Sequence, residues 1–233
     1  MERIFNILLL AGYDGYLRMA FGDYLQLPPA WLGQRFLQDA AHLQRVNPVL
    51  YQHEYLGLAV GVGQKVFANV LLATTAEVQA QAKQLAWFCS GVDWGWWPDP
   101  WAFNRVAYDG ENRVLYVLKE LHCYRTGNRE TGLMVKNTIP AGETVTADSA
   151  EPKSIGDYRQ LGLCCRGAKK GPGSVAYGLK WLQSLAAIVI DPEACPETAR
   201  EFAACRYVNG AIPDRDNHHI DAVRYASQVF WRN

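Results

Sequence analysis

The four residues Asp109-Gly110-Glu111-Asn112 stand between two long strand-like runs, 102–108 and 113–122. Asp-Gly between two apolar, β-branched and aromatic runs is a strong short-range signal for an antiparallel hairpin. It fixes two neighbouring strands in the middle of the chain, and the rest must be built around them. Residues 85–92 read as a strand before the hairpin, ending at Asp93. After it, helix and strand alternate: a helix at 128–137, a strand at 144–147 ending at Asp148, and a helix at 154–161. A strand at 163–166, a helix at 174–185, a strand at 187–190 and a helix at 196–204 follow. A last helix is expected over 219–230. Antiparallel strands followed by alternating helices and strands predict an α/β fold, a mixed β-sheet flanked by helices on both faces.

The first 75 or so residues have a different texture. Pro28-Pro29 suits a helix start, and Trp31, Leu32, Phe36, Leu37 and Ala40 recur at helical spacing, so a helix is expected over 29–54. Asn47-Pro48 should interrupt it, because the residue before a proline is pushed out of the α region. Gly57, Gly61 and Gly63 mark a loop. The segment Gly61-Val62-Gly63-Gln64-Lys65-Val66 lacks the Gly-x-x-x-x-Gly-Lys-Ser/Thr spacing of a phosphate loop, so no ATPase site is expected in this chain.

At 233 residues, 49% apolar and 20% charged, the chain can hold one large domain, or a domain of about 150 residues with an extension. Lysine plus arginine and aspartate plus glutamate both number 23, so any surface for a polyanion must come from local clustering. Cys89, Cys123, Cys164, Cys165, Cys195 and Cys205 form no Cys-x-x-Cys pair, which fits free thiols in a reducing cytosol. The apolar run Ile7-Leu8-Leu9-Leu10 is too short to span a bilayer, so no membrane association is expected.

Three aspartates lie at element boundaries: Asp93 and Asp148 at strand ends and Asp221 in the first turn of the last helix. They are 55 residues (93 to 148) and 73 residues (148 to 221) apart, so only the tertiary fold can join them. Open sheets place ligands at the carboxyl ends of their strands. Gathered there, three carboxylates would suit hard divalent cations, and two ions about 3.5–4 Å apart stabilise both the attacking and the leaving oxygen of a phosphodiester. Two carboxylates about 4 Å apart repel by roughly 4 kcal/mol at an effective dielectric near 20, which argues against such a cluster without metal. Taken singly, each aspartate reads equally as a turn former or a first-turn residue facing the helix dipole.

Four segments together resemble the nuclease domain of large terminase subunits of tailed bacteriophages, the group of PBSX-type prophages above all. They are Gly91-Val92-Asp93-Trp94-Gly95 followed by Asp99-Pro100, and Ala147-Asp148-Ser149-Ala150-Glu151-Pro152-Lys153-Ser154-Ile155. The others are Arg166-Gly167-Ala168-Lys169-Lys170-Gly171-Pro172-Gly173-Ser174 and Asn217-His218-His219-Ile220-Asp221-Ala222-Val223-Arg224-Tyr225. The resemblance covers residues 50–233. It implies an RNase H-like fold and an endonuclease that cuts concatemeric viral DNA during packaging. It also implies two bound ions, Mg²⁺ or Mn²⁺, held by Asp93, Asp148 and Asp221, with His218 beside them as an orienting or proton-transferring group. Lys153, Arg166, Lys169 and Lys170 would meet the DNA backbone, and Trp94, Trp96, Trp97 and Trp101 read as core packing beside the first strand, with stacking on DNA as the alternative. Double-stranded DNA, the phage portal and the small terminase subunit are the implied partners, in the host cytoplasm.

A complete large terminase also carries an ATPase motor. Tyr51-Gln52-His53-Glu54-Tyr55-Leu56-Gly57 resembles the segment where the motor gives way to the nuclease. Residues 1–78 are therefore expected to be the end of a motor and its linker, and 79–233 the nuclease domain. Two other readings remain: a non-catalytic prophage remnant or DNA-binding module, and another RNase H-like nuclease such as a resolvase or transposase.

Overall fold

The computed structural model describes residues 7–11, 17–21, 24–56, 64–208 and 211–231. The glycine-marked loop expected at 57–63 lies outside them. The chain divides into two compact units, one of residues up to Gln64 with Arg206–Pro213, the other of Lys65–Cys205 with the residues from Asp214 on.

In the first unit, β1 (Ile7–Ala11) and β2 (Leu17–Phe21) form an antiparallel pair, so the apolar run at the start is a strand. The helix expected over 29–54 is three helices: α1 (Pro29–Leu32), α2 (Gln34–Val46) and α3 (Pro48–Glu54). The break at Asn47 falls where Pro48 demands it, and the Asn47 side chain caps α3 by accepting from the Leu50 amide at 3.1 Å. A second break falls at Gly33, whose φ of 76° is a conformation open chiefly to glycine. Ala40, Leu43, Leu50 and Tyr51 form a small core between α2 and α3.

The second unit holds β3 (Val70–Leu72), α4 (Thr75–Ala82), β4 (Phe88–Asp93), β5 (Trp101–Asp109), β6 (Val114–Cys123), α5 (Asn128–Thr138), β7 (Thr144–Ala147) and α6 (Pro152–Gln160). β8 (Cys164–Gly167), α7 (Ser174–Gln183), β9 (Ala187–Ile190), α8 (Pro196–Ala204), α9 (His218–Ala226) and α10 (Gln228–Trp231) complete it. The expected hairpin is β5–β6. Asp109 shapes its turn, accepting from the amides of Glu111 and Asn112 at 3.1 and 3.0 Å. The seven-stranded sheet has the order β3-β9-β6-β5-β4-β7-β8, with β5 antiparallel to both neighbours and the other pairs parallel. The sequence reading assigns no element to β3 and α4, although Thr74 and Glu77 form a capping box at the start of α4.

Helices cover both faces. Val92, Trp101, Phe103, Val145 and Ala147 point to one side, where they bury against Val135, Ile155 and Tyr158 of α5 and α6. The opposite side meets α9, and Gly91 sets the approach. A Cβ on Gly91 would lie 1.8 Å from the carbonyl oxygen of Ala222, so helix backbone rests directly on strand backbone. No disulfide joins any of the six cysteines. Among the described residues no helix is long and apolar enough to cross a membrane.

Candidate active site

Val92 of β4 stands opposite Ala147 of β7 in parallel register, so the next residues, Asp93 and Asp148, leave adjacent strands side by side. The Asp148 amide still donates to the Val92 carbonyl at 3.0 Å, which carries the pairing to the edge of the sheet. Side chains alternate along a strand, so Asp93 points to the same side as Gly91, toward α9. Asp221 lies in the first turn of α9, one residue before the carbonyl that touches Gly91. The three carboxylates feel one another. Burial first, then the charges of Asp221 and Asp148, raise the Asp93 carboxyl to about 6 against the pull of its hydrogen bond with His218. Tyr225, one turn along α9 and buried, has its hydroxyl pKa raised by burial and by all three aspartates.

Each carboxylate has a basic partner of its own. His218 Nδ1 lies 3.1 Å from Asp93 Oδ2 and its Nε2 lies 3.5 Å from Asp99 Oδ1, so the ring bridges the two acids; its hydrogen bond with Asp93 raises its pKa. Arg224 grips Asp221 with both ends of its fork, Nε to Oδ1 at 3.0 Å and the terminal nitrogen to Oδ2 at 2.9 Å. Lys170 Nζ pairs with Asp148 Oδ1, which also accepts from the Ala150 amide at 2.9 Å. Trp94 donates from its indole nitrogen to the Asp148 carbonyl at 2.8 Å. Among the described residues no three His, Cys, Asp or Glu side chains are gathered tightly enough to hold a metal ion. The charge pairing gives a physical reason: mutual repulsion is relieved by turning each carboxylate to a cation rather than to a common centre.

The expected basic residues are spread around this cluster. Lys170 touches it. Lys169 is held by its backbone, its amide donating to Gln228 Oε1 at 2.6 Å and its carbonyl accepting from Gln228 Nε2 at 3.0 Å. Arg166 on β8 reaches Thr146 Oγ1 at 3.3 Å, and Lys153 is exposed at the start of α6. The four tryptophans divide: Trp101 is core, Trp94 is half-buried, and Trp96 and Trp97 are exposed.

Sequence reading missed the buried polar network behind the cluster. His219, fully buried, has its pKa pulled down to about 3 by burial first and then by the neighbouring His122 and His218, so it is neutral at physiological pH. Its Nδ1–H donates to Asn104 Oδ1 at 2.9 Å, which leaves Nε2 to accept from His122 Nδ1 at 3.0 Å. Asn104 Nδ2 donates in turn to Thr198 Oγ1 at 2.7 Å, and that hydroxyl to Glu120 Oε2 at 2.7 Å. Glu201 Oε2 accepts from the amides of His219 and Ile220 at 2.8 and 3.1 Å and so fixes the start of α9; burial pushes this carboxyl up to about 7. The adjacent pair His218-His219 was the available signal, since neighbours on a helix point about 100° apart and only one can face the cluster.

Residues 93–229, more than half the chain, match the family described as Terminase RNAseH like domain. The chain belongs to that family. Its seven-stranded mixed sheet with flanking helices is the RNase H-like terminase nuclease fold. The terminase large subunit of Bacillus phage SPP1 is 38% identical over 212 residues, covering 87% of this chain and 50% of that protein. The PBSX phage terminase large subunit of Bacillus subtilis (strain 168) is 32% identical over 146 residues, covering 60% of this chain and 34% of that protein. The chain thus spans half the length of the first relative and about a third of the second. The solved nuclease domain of the bacteriophage SPP1 large terminase, with bound Mn, superposes with a TM-score of 0.65 at 35% identity. That match covers 73% of this chain and 99% of the solved domain.

Proposed function

We propose that this terminase-family chain is a metal-dependent DNA endonuclease that cuts concatemeric viral DNA by phosphodiester hydrolysis during packaging. The observation that carries the reading is the convergence of Asp93 and Asp148, at the ends of adjacent parallel strands, with Asp221 from the helix lying on Gly91. The donor set fits Mg²⁺ or Mn²⁺: hard carboxylate oxygens whose mutual repulsion a cation would relieve. Asp93, Asp148 and Asp221 would hold one or two such ions, and the Mn bound in the related SPP1 domain supports this. Bound there, the metal would polarise the phosphodiester and supply an activated water. His218 would orient Asp93 and, with a raised pKa, hold a proton at Nδ1 or Nε2 between Asp93 and Asp99. Lys170, Lys169, Arg166 and Lys153 would meet phosphates, contacts that position a duplex without reading its sequence.

Under this reading residues 1–78 are the end of the motor portion and its linker. Double-stranded DNA, the portal and the small subunit are the partners, in the host cytoplasm. Pairing of every carboxylate with its own basic side chain is the observation that favours the competing reading, a non-catalytic DNA-binding module. Plasmid cleavage with Mn²⁺ tests both. The wild type should nick and linearise DNA, and Asp148→Asn should lose at least about 100-fold in rate, as expected for removal of a group acting on the transition state. Intact plasmid with both proteins, together with calorimetry showing no Mn²⁺ binding that Asp93→Ala abolishes, would favour the binding module.

A further inference from the structure

Beside the acidic cluster lies a cavity of about 350 Å³, in the size range of small-ligand pockets. Two loops make its mouth, the segment after β4 and the segment after β6, and the Arg125 amide pins them together by donating to the Trp96 carbonyl at 2.9 Å. Three indoles line it. Trp101 forms part of the core at 2% exposure. Trp94 is fixed by its hydrogen bond to the Asp148 carbonyl and by an edge contact with Tyr158 at 5.0 Å. Trp96 is 57% exposed.

The polar lining is rich in acceptors. Asn128 donates both amide hydrogens, to Ser154 Oγ at 3.0 Å and Asp157 Oδ2 at 2.8 Å, and its carbonyl oxygen has no partner among the described residues. Glu151 accepts from Ser154 Oγ at 2.6 Å and keeps its second oxygen. Among the described residues no lysine or arginine lines the cavity. The exposed indole of Trp96, with a carboxylate and no cation in the lining, suits a flat, neutral ring bearing amino hydrogens and disfavours a phosphate.

We propose that this cavity is a nucleobase subsite, taking one unpaired base, preferentially one with an exocyclic amine, from a DNA strand whose backbone runs past Asp148. The proposal rests on the nuclease reading for the strand that lies beside the cavity, and it adds a substrate class: DNA that is single-stranded or locally unpaired at the cut. Base–aromatic stacking supplies about 1–3 kcal/mol per base, which is about 5- to 150-fold in affinity.

The test uses the full chain in EDTA, where nothing is cleaved, and fluorescence anisotropy with labelled hexamers. One hexamer is abasic throughout, one carries a single central cytosine, and one a single thymine. Wild type should bind the cytosine hexamer about tenfold tighter than the abasic one, with thymine between. Trp96→Ala should bind all three alike with an unchanged melting curve, and Trp96→Phe should restore part of the discrimination. Equal binding of the three hexamers by wild type, or undiminished discrimination by Trp96→Ala, overturns the subsite. Quenching of indole fluorescence by an arginine-rich peptide and by no hexamer assigns the cavity to a cationic protein segment and also overturns it. Base discrimination by a protein that leaves plasmid intact with Mn²⁺ would count against the nuclease reading alone, and cleavage without discrimination against the subsite alone.

Discussion

The two faces of the central sheet are built on opposite principles, although the same strands supply both. Along β5, Trp101 and Phe103 point into an apolar layer under α5 and α6, while Asn104 points into the chain of hydrogen bonds beneath α8 and α9. The first face is held by hydrophobic burial and by packing such as the edge contact of Trp94 with Tyr158. The second buries Asn104, Glu120, Thr198, Glu201, His219 and Arg224, groups that are costly to bury unless every one is satisfied. It is also the face toward which Asp93 points and from which α9 delivers Asp221. Both faces bury apolar side chains, Phe202 and Ile220 among them on the second, but only the second also holds charge in place, at some expense of stability.

Breaking the apolar face should have the largest effect. Phe103→Ala, at a fully buried position, should cost about 3–5 kcal/mol in urea unfolding, with the same loss at pH 5 and pH 8. A loss below about 1 kcal/mol, or one that varies with pH, would show that the two faces are not separable in this way.

The acidic cluster should respond with the opposite sign. The folded pKa of Asp93, about 6, lies above its ordinary value of 3.8. The protonated form therefore favours folding: that contribution is complete below about pH 4 and is lost as pH rises through 6. At pH 8 without metal the ionised carboxylate then works against the fold by up to about 3 kcal/mol, at 1.36 kcal/mol per unit. Asp93→Asn should raise the melting temperature of the metal-free protein at pH 8 and leave it unchanged at pH 4, read by calorimetry across that range. Destabilisation at pH 8 would mean that the ion pair with His218 outweighs the repulsion.

The smallest effect is expected for Asn104→Ala, about 1–3 kcal/mol, because it leaves His219 Nδ1–H without its acceptor and Thr198 without a donor. Circular dichroism should show the fold retained. The loss should be larger than for Asn104→Asp at low pH, where a protonated carboxyl can still both donate and accept.

Much of this fold was legible in the sequence for identifiable reasons. The hairpin at Asp109 and the strands ending at Asp93 and Asp148 are written in local periodicity and turn chemistry, and the structure has them within a few residues. Sheet order was not legible, because nothing local says that β4 lies between β5 and β7. Short elements escaped as well. β3 has three residues, too few for an alternating pattern, and the last helix, read as continuous over 219–230, is interrupted at Ser227. At the candidate site, the aspartates stood out because boundary carboxylates are visible one at a time. Glu201 and His219 did not, since a buried polar residue on an amphipathic helix looks in sequence like one on its solvent face. Their meaning lies in partners 18 to 115 residues away.

Gly91 carries a consequence for how such a sequence can drift. Where two elements are spaced by side chains, each core substitution shifts the distance between them a little. Here main chain lies against main chain, and the spacing of α9 from β4 is set by atoms that every amino acid shares. The core beneath α5 and α6 can therefore be repacked over generations with little displacement of Asp221 relative to Asp93, while position 91 itself has no freedom to vary.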